Sequence, residues 1–156
     1  MYLGIPYAIP PVGTLRWRPP HPPAKFTGVF KATKFGFRCV QPNGIGGTFG
    51  SENCLFLNVY VPTAPQPAHG FPVMVWIHGG ALTTGSGSDY DPTPLVEKGG
   101  VIVVTINYRL GVLGFFAHPA IDAEIHPKAN YGLMDQQFAL QWVQRNIGAF
   151  GAIATE

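Results

Sequence analysis

The stretch Val73-Met74-Val75-Trp76-Ile77-His78-Gly79-Gly80-Ala81 restricts what this chain can fold into more than any other. Val73, Val75, Trp76 and Ile77 are β-branched or aromatic, and two glycines stop the run, the pattern of a short buried strand emptying into a loop. With no Cβ on the glycines, backbone N–H groups in that loop can approach an oxygen of a bound molecule. The plainer reading is a strand-to-loop turn with no further role, and the rest of the sequence decides between the two.

At 156 residues, 46% of them apolar, the chain has the size of one domain with a substantial core. Charged residues make up only 12%, about half of the ~25% usual for soluble domains. That shortage suggests a piece of a larger core whose strands are buried on both faces. The net charge of +2 is scattered, with no basic cluster or stripe, so neither nucleic acid nor an anionic membrane is an expected partner. No apolar run approaches the ~18 residues of a membrane span. Met1 to Pro6 has neither a basic nor an apolar leader region, so no secretory signal is expected and the compartment stays open.

Seven of the 16 prolines fall in residues 1 to 23, which predicts an extended, irregular segment. Tyr7, Val12, Leu15 and Trp17 are too apolar to be left solvated, so it should lie against a scaffold. Residues 24 to 50 read as loop. Their glycines match no phosphate-binding pattern, since neither Gly-Lys-Ser/Thr nor G-x-G-x-x-G occurs. Cys39 and Cys54 flank the glycine-rich part; without C-x-x-C or histidines at ligand spacing no metal site is expected, and a disulfide or two free thiols remain. Strands are predicted at 55–61, stopped by Pro62, at 73–78 and at 101–106. Asp91-Pro92 reads as the N-cap and first position of a short helix closed by Gly99-Gly100, and strand, helix and strand recur at the spacing of a right-handed parallel crossover. Leu110 to Ala117 reads as an apolar, glycine-punctuated loop. From Asn130 to Ile147 the pattern is helical, with Leu133, Leu140, Val143 and Ile147 on one face and Met134, Phe138 and Trp142 widening it, which predicts burial on more than one side.

His78-Gly79-Gly80-Ala81 after a strand is a close variant of the His-Gly-Gly-Gly oxyanion loop of lipases and esterases. Five further stretches stand beside it in one order: Gly4-Ile5-Pro6-Tyr7-Ala8; Pro11-Val12-Gly13 with Arg16-Trp17; Ser51 to Val59; Asn107-Tyr108-Arg109-Leu110-Gly111; and Asn130 to Gln137 through Ala139 to Val143. Together they make the chain resemble the N-terminal part of a type-B carboxylesterase, the family of cholinesterases and broad-specificity esterases. The resemblance implies an α/β class and one incomplete α/β-hydrolase domain over 1–156. Its sheet would be mixed and mostly parallel with flanking helices, truncated before the nucleophile elbow. It also implies that strand 101–106 lies between the other two, leaving 73–78 at an exposed edge.

By the same resemblance Gly79, Gly80 and Ala81 form the oxyanion loop. The N–H groups of Gly80 and Ala81 would be two of three donors, the third belonging to the residue after the nucleophilic serine. Ala81 replaces a frequent glycine and would narrow the acyl site by a methyl without removing a donor. His78 corresponds to no catalytic histidine and is expected to be structural. The resemblance further implies ion pairs Arg109–Asp135 and Arg16–Glu52, each tying a loop to the scaffold. It implies that Cys39 and Cys54 pair in an oxidising compartment; the localisation stays unassigned, a bridge being compatible with a secreted or periplasmic parent. It implies no cofactor and no metal.

Three departures bear on function. Asn53 replaces the usual aspartate of Glu-Asp-Cys-Leu. The loop between the cysteines is shorter than in cholinesterases and has no tryptophan to hold a quaternary ammonium, which favours a general ester hydrolase. After Phe150-Gly151 the family's Gly-Asp-Pro does not follow, and no serine, including Ser51, Ser86 and Ser88, sits in G-x-S-x-G. The expectation is therefore a carboxylic ester hydrolase of serine mechanism in the full-length parent, acting on a small-molecule ester, with oligomeric state unassigned and this chain inactive alone. The alternatives are a non-catalytic cholinesterase-like interaction protein and a truncated product without function.

Overall fold

A computed structural model describes residues 1–127 and 130–153. Its centre is a four-stranded sheet of β1 (Tyr2–Pro6), β4 (Phe56–Tyr60), β5 (Val73–Ile77) and β6 (Ile102–Ile106), in the order β1-β4-β6-β5. A separate short hairpin joins β2 (Gln41–Pro42) to β3 (Thr48–Phe49). In the main sheet β4 runs antiparallel to both neighbours, while β5 and β6 are parallel, from Val73 opposite Ile102 to Ile77 opposite Ile106. The connection between β5 and β6 carries α1 (Thr93–Gly99), as a parallel crossover requires. After β6 come α2 (Gly111–Phe115), α3 (Pro119–Asp122) and α4 (Tyr131–Asn146). Residues of α4 join β1, β4 and β6 in one apolar core that includes Tyr7, Leu57, Val59, Ile102, Val104, Ile106, Ala139 and Val143.

The predicted strands lie in one sheet with β6 between β4 and β5, as the resemblance implied. β6 is fully buried, the reason its residues are apolar apart from Thr105, whose hydroxyl is bonded to Asn58. β5 departs from the expectation of a buried strand. As an edge strand it pairs with a neighbouring strand, β6, on one side only among the described residues, and Met74, Trp76 and Ile77 are each about two-fifths exposed. Just before it, Phe71 forms a parallel bridge with Ala152.

Other differences have local causes. The proline-rich N-terminus contains a strand, because Tyr2 to Pro6 precedes the denser prolines and can still pair with β4. That pairing is interrupted by a bulge at Gly4, whose φ of +69° and close approach to the Lys34 carbonyl, 2.3 Å from where a Cβ would stand, require glycine. The bulge leaves the Gly4 N–H without a ladder partner, and Asn58 of β4 supplies one: its Oδ1 accepts at 2.9 Å while its Nδ2 donates to Thr105 Oγ1 of β6 at 2.9 Å. Leu110 to Ala117 is not all loop, since α2 makes one helical turn there, closed by Gly114 N–H to the Leu110 carbonyl. α1 starts at Thr93, with Pro92 at its cap; Asp91 contributes instead by accepting from the Thr93 N–H at 3.0 Å.

The inward face of α4 is also different. Tyr131, Asp135, Ala139 and Val143, four residues apart, are buried, whereas Leu133 and Leu140 are 49% and 44% exposed. A charged residue with a buried partner outranked two leucines in setting the rotation of the helix, so α4 is not covered on several sides among the described residues.

Candidate functional site

At the end of β5 the chain enters a loop fixed from several directions. The His78 ring is 2% exposed and stacks on Tyr108, with centroids 4.5 Å apart and planes at 18°. The Tyr108 hydroxyl donates to the His78 carbonyl at 2.8 Å. His78 Nδ1 lies 2.8 Å from the Gly79 carbonyl; since a carbonyl only accepts, Nδ1 carries the proton. Nε2 is buried with no partner among the described residues. Burial lowers the imidazole pKa from 6.5, against smaller opposing effects from Gly79 and Asp89, so the ring is neutral at pH 7.

The next three residues all have positive φ: Gly80 at 110°, Ala81 at 52° and Leu82 at 61°. Gly80 must be glycine, because a Cβ would stand 2.1 Å from the Thr84 carbonyl oxygen. For Ala81 and Leu82 the left-handed conformation costs about 1–2 kcal/mol per residue, so surrounding contacts must hold it. Those contacts are visible. Thr83 and Thr84 donate backbone N–H bonds to the Gly80 carbonyl at 3.0 and 3.1 Å, and Gly111 donates to the Leu82 carbonyl at 2.8 Å. Further along, the buried Gln41 side chain accepts from the Gly85 N–H at 2.9 Å and donates to the Gly85 carbonyl at 3.0 Å. Gln41 lies between Cys39 and Cys54, which form a disulfide, so the cross-linked loop braces the far end of the 78–85 turn.

With the Gly79, Gly80 and Leu82 carbonyls held, this loop still carries unbonded donors. No described residue accepts from the N–H of Gly80 or of Ala81. Beside Ala81 and Leu82 lies an open groove of about 410 Å³, walled by Val112, Phe115, Phe116 and Ala117. Ala81 lines that groove and Gly80 precedes it in the chain; free donors beside an apolar surface can stabilise negative charge on an oxygen while the rest of a ligand rests on hydrocarbon.

The other sequence-predicted residues lie around this loop. Arg109 and Asp135 form a bidentate pair in the core, with side chains 4% and 0% exposed. Arg16 and Glu52 are also bidentate, both contacts at 2.6 Å, but sit at the surface, where a pair is worth less. Asn53 donates its backbone N–H to Ser51 Oγ at 3.1 Å. Ser86 is buried, with its hydroxyl on Asn107 Oδ1 at 3.1 Å and beside Ser88 Oγ at 2.9 Å.

The description of the carboxylesterase family matches residues 1–154. The chain belongs to that family. This carboxylesterase-family chain is 46% identical to fumonisin B1 esterase of Sphingopyxis macrogoltabida, over 96% of its own length and 29% of that protein's. It is 43% identical to pyrethroid hydrolase Ces2a of Mus musculus, over 96% of its length and 28% of the relative's. A solved PNB esterase superposes with a TM-score of 0.86 at 47% identity, covering 97% of this chain and 31% of that one. The chain thus spans under a third of the length of these curated relatives.

Within this carboxylesterase-family chain, reasoning from sequence passed over Gln41, Tyr108, Thr83 and Thr84, which fix the loop. Gln41 gave no signal, since a polar residue in a loop reads as solvated. Tyr108 belonged to a quoted stretch, but nothing in its spacing pointed to the carbonyl of His78.

Proposed function

We propose that this chain supplies the oxyanion loop of a carboxylic ester hydrolase working by a serine esterase mechanism on small-molecule esters. Residues 1–156 would be part of one α/β-hydrolase domain, and the remaining part of the parent would contribute the nucleophilic serine, its histidine and its acid. The observation that carries this reading is the pair of N–H donors at Gly80 and Ala81, without acceptors among the described residues on a loop whose Gly79, Gly80 and Leu82 carbonyls are bonded. As a serine attacks an ester carbonyl, the oxygen becomes an alkoxide, and donors already in place stabilise it without reorganising; losing one such donor typically costs about 3 kcal/mol of barrier. The apolar groove beside Ala81 suits an acyl or alkoxy group of hydrocarbon character. The esterase and hydrolase relatives support the same chemistry.

A chimera tests this reading. Residues 1–153 joined to the remaining portion of PNB esterase should hydrolyse p-nitrophenyl butyrate and take up a fluorophosphonate probe, and the 156-residue chain alone should do neither. A triad contributes far more than an oxyanion hole without one. Stoichiometric labelling of Ser51, Ser86 or Ser88 in the isolated chain would refute the assignment.

A further inference from the structure

We infer that His78 is a positioning residue for the oxyanion loop: its Nδ1–H holds the Gly79 carbonyl and so aims the Gly80 N–H. The catalytic consequence rests on the esterase reading above; the geometry does not.

A peptide unit is planar, and with no cis bonds present its C=O and N–H point in opposite directions. The Gly79 carbonyl shares a plane with the Gly80 N–H, and the Gly80 carbonyl shares one with the Ala81 N–H. Fixing either carbonyl therefore fixes the direction of a proposed catalytic donor. The two are fixed very differently. The Gly80 carbonyl receives the N–H groups of Thr83 and Thr84 at 3.0 and 3.1 Å and their hydroxyls at 3.1 and 3.4 Å. Among the described residues the Gly79 carbonyl receives only His78 Nδ1, at 2.8 Å. A Cβ on Gly79 would meet nothing within 4 Å, although the Gly79 oxygen also packs against Gly85, where a Cβ would stand 2.7 Å from it. The Gly79–Gly80 peptide thus joins two glycines, and its carbonyl has one hydrogen-bond donor among the described residues, the His78 side chain.

That side chain is itself held. Tyr108 stacks on the ring and grips the His78 carbonyl, which orients the preceding peptide plane. Gly85 packs so close that a Cβ there would stand 2.4 Å from Nδ1. The bond to Gly79 needs the proton on Nδ1, and a second proton on Nε2 would find no acceptor among the described residues. The neutral Nδ1–H tautomer is the one form that fits.

Long-range ¹H–¹⁵N spectra of the 156-residue chain read the tautomer directly: Nδ1 should be protonated and Nε2 bare. His78→Asn keeps an N–H near the place of Nδ1, and His78→Phe keeps the ring without a donor. The Gly80 amide order parameter should stay near ~0.85 in the wild type and His78→Asn, and fall below ~0.6 in His78→Phe. In the PNB esterase chimera, His78→Phe should lower kcat about tenfold or more with KM within about twofold, since only a misaimed donor is lost. His78→Asn should stay within about threefold of wild type. A protonated Nε2 with bare Nδ1, or equal losses in the two variants, would overturn the inference. If His78→Phe does not fold, the tautomer and the wild-type and His78→Asn order parameters decide it. An inactive wild-type chimera would count against the esterase reading alone, and the spectra would still judge the positioning claim.

Discussion

Asp135 accepts three hydrogen bonds from Arg109, from its backbone N–H at 3.0 Å and from Nε and Nη2 at 2.8 Å each. One carboxylate thus anchors both the backbone after β6 and the charge of its side chain to the first turns of α4. Arg109 also lies 5.4 Å from the Tyr131 ring centroid. Removing the carboxylate charge would strand a buried guanidinium, so Asp135→Asn should cost about 3–5 kcal/mol. Urea denaturation of the chain checks this. Arg109→Met with Asp135→Leu should recover most of the loss, because apolar replacement of both partners removes the stranded charge.

Acid stability should follow His78. The His78 pKa is lowered from 6.5, mainly by burial, with Asp89 opposing and Arg38 assisting. Its contribution is present above 6.5 and lost as pH falls through the folded value. Unfolding free energy should therefore decline as pH drops below 6.5 in the wild type, and more shallowly in His78→Asn. Equal slopes for the two proteins would contradict the assignment.

The cross-link between Cys39 and Cys54 closes a loop with a sequence separation of 15. In the chain-entropy model such a closure stabilises by about 3 kcal/mol. Reduction should lower the urea midpoint accordingly, and Cys39→Ser with Cys54→Ser should match it. Because Gln41 lies inside that loop and grips Gly85, reduction should also speed amide exchange at Gly85. Two alkylated thiols in protein taken from its native compartment under non-reducing conditions would show that the pair is not formed there.

Ala81→Gly and Gly80→Ala should move in opposite directions. Ala81, at φ 52°, carries a side chain in a region that favours glycine. Glycine there should relieve about 1 kcal/mol, less the extra backbone entropy of the unfolded chain. Gly80→Ala puts a methyl 2.1 Å from the Thr84 carbonyl oxygen and should destabilise the loop. Paired thermal melts, with hydrolysis by the chimera as a second readout, test both; a Gly80→Ala protein as stable and active as wild type would contradict the loop geometry.

The parts of the fold legible in the sequence were those where period and composition agree. The strands now seen as β4, β5 and β6 were rich in β-branched or aromatic residues and bounded by proline or glycine. Gly100, closing α1 at φ 58°, is the terminator that Gly99-Gly100 suggested. What stayed hidden depended on distant partners. Asp135 turned α4 through a residue 26 positions away, and Tyr2 to Pro6 became a strand only because β4 offered an edge. In the loop, two glycines and the motif drew attention to Gly79 through Ala81. The positive φ of Leu82 had no sequence signature, since leucine does not favour it.

The amide of Asn58 has a consequence for how the sheet assembles. It is bonded at once to the backbone of β1 and to a side chain of β6, so it is satisfied only when three strands meet in one alignment. Shifting either neighbour by a residue would leave a buried amide without partners, which costs about 1–3 kcal/mol for each unmet group. Apolar side chains such as Val59 and Val104 would accept many slipped arrangements almost equally well. Asn58 therefore acts as a proofreader, and Asn58→Leu should give a sheet that still collapses but samples misaligned pairings.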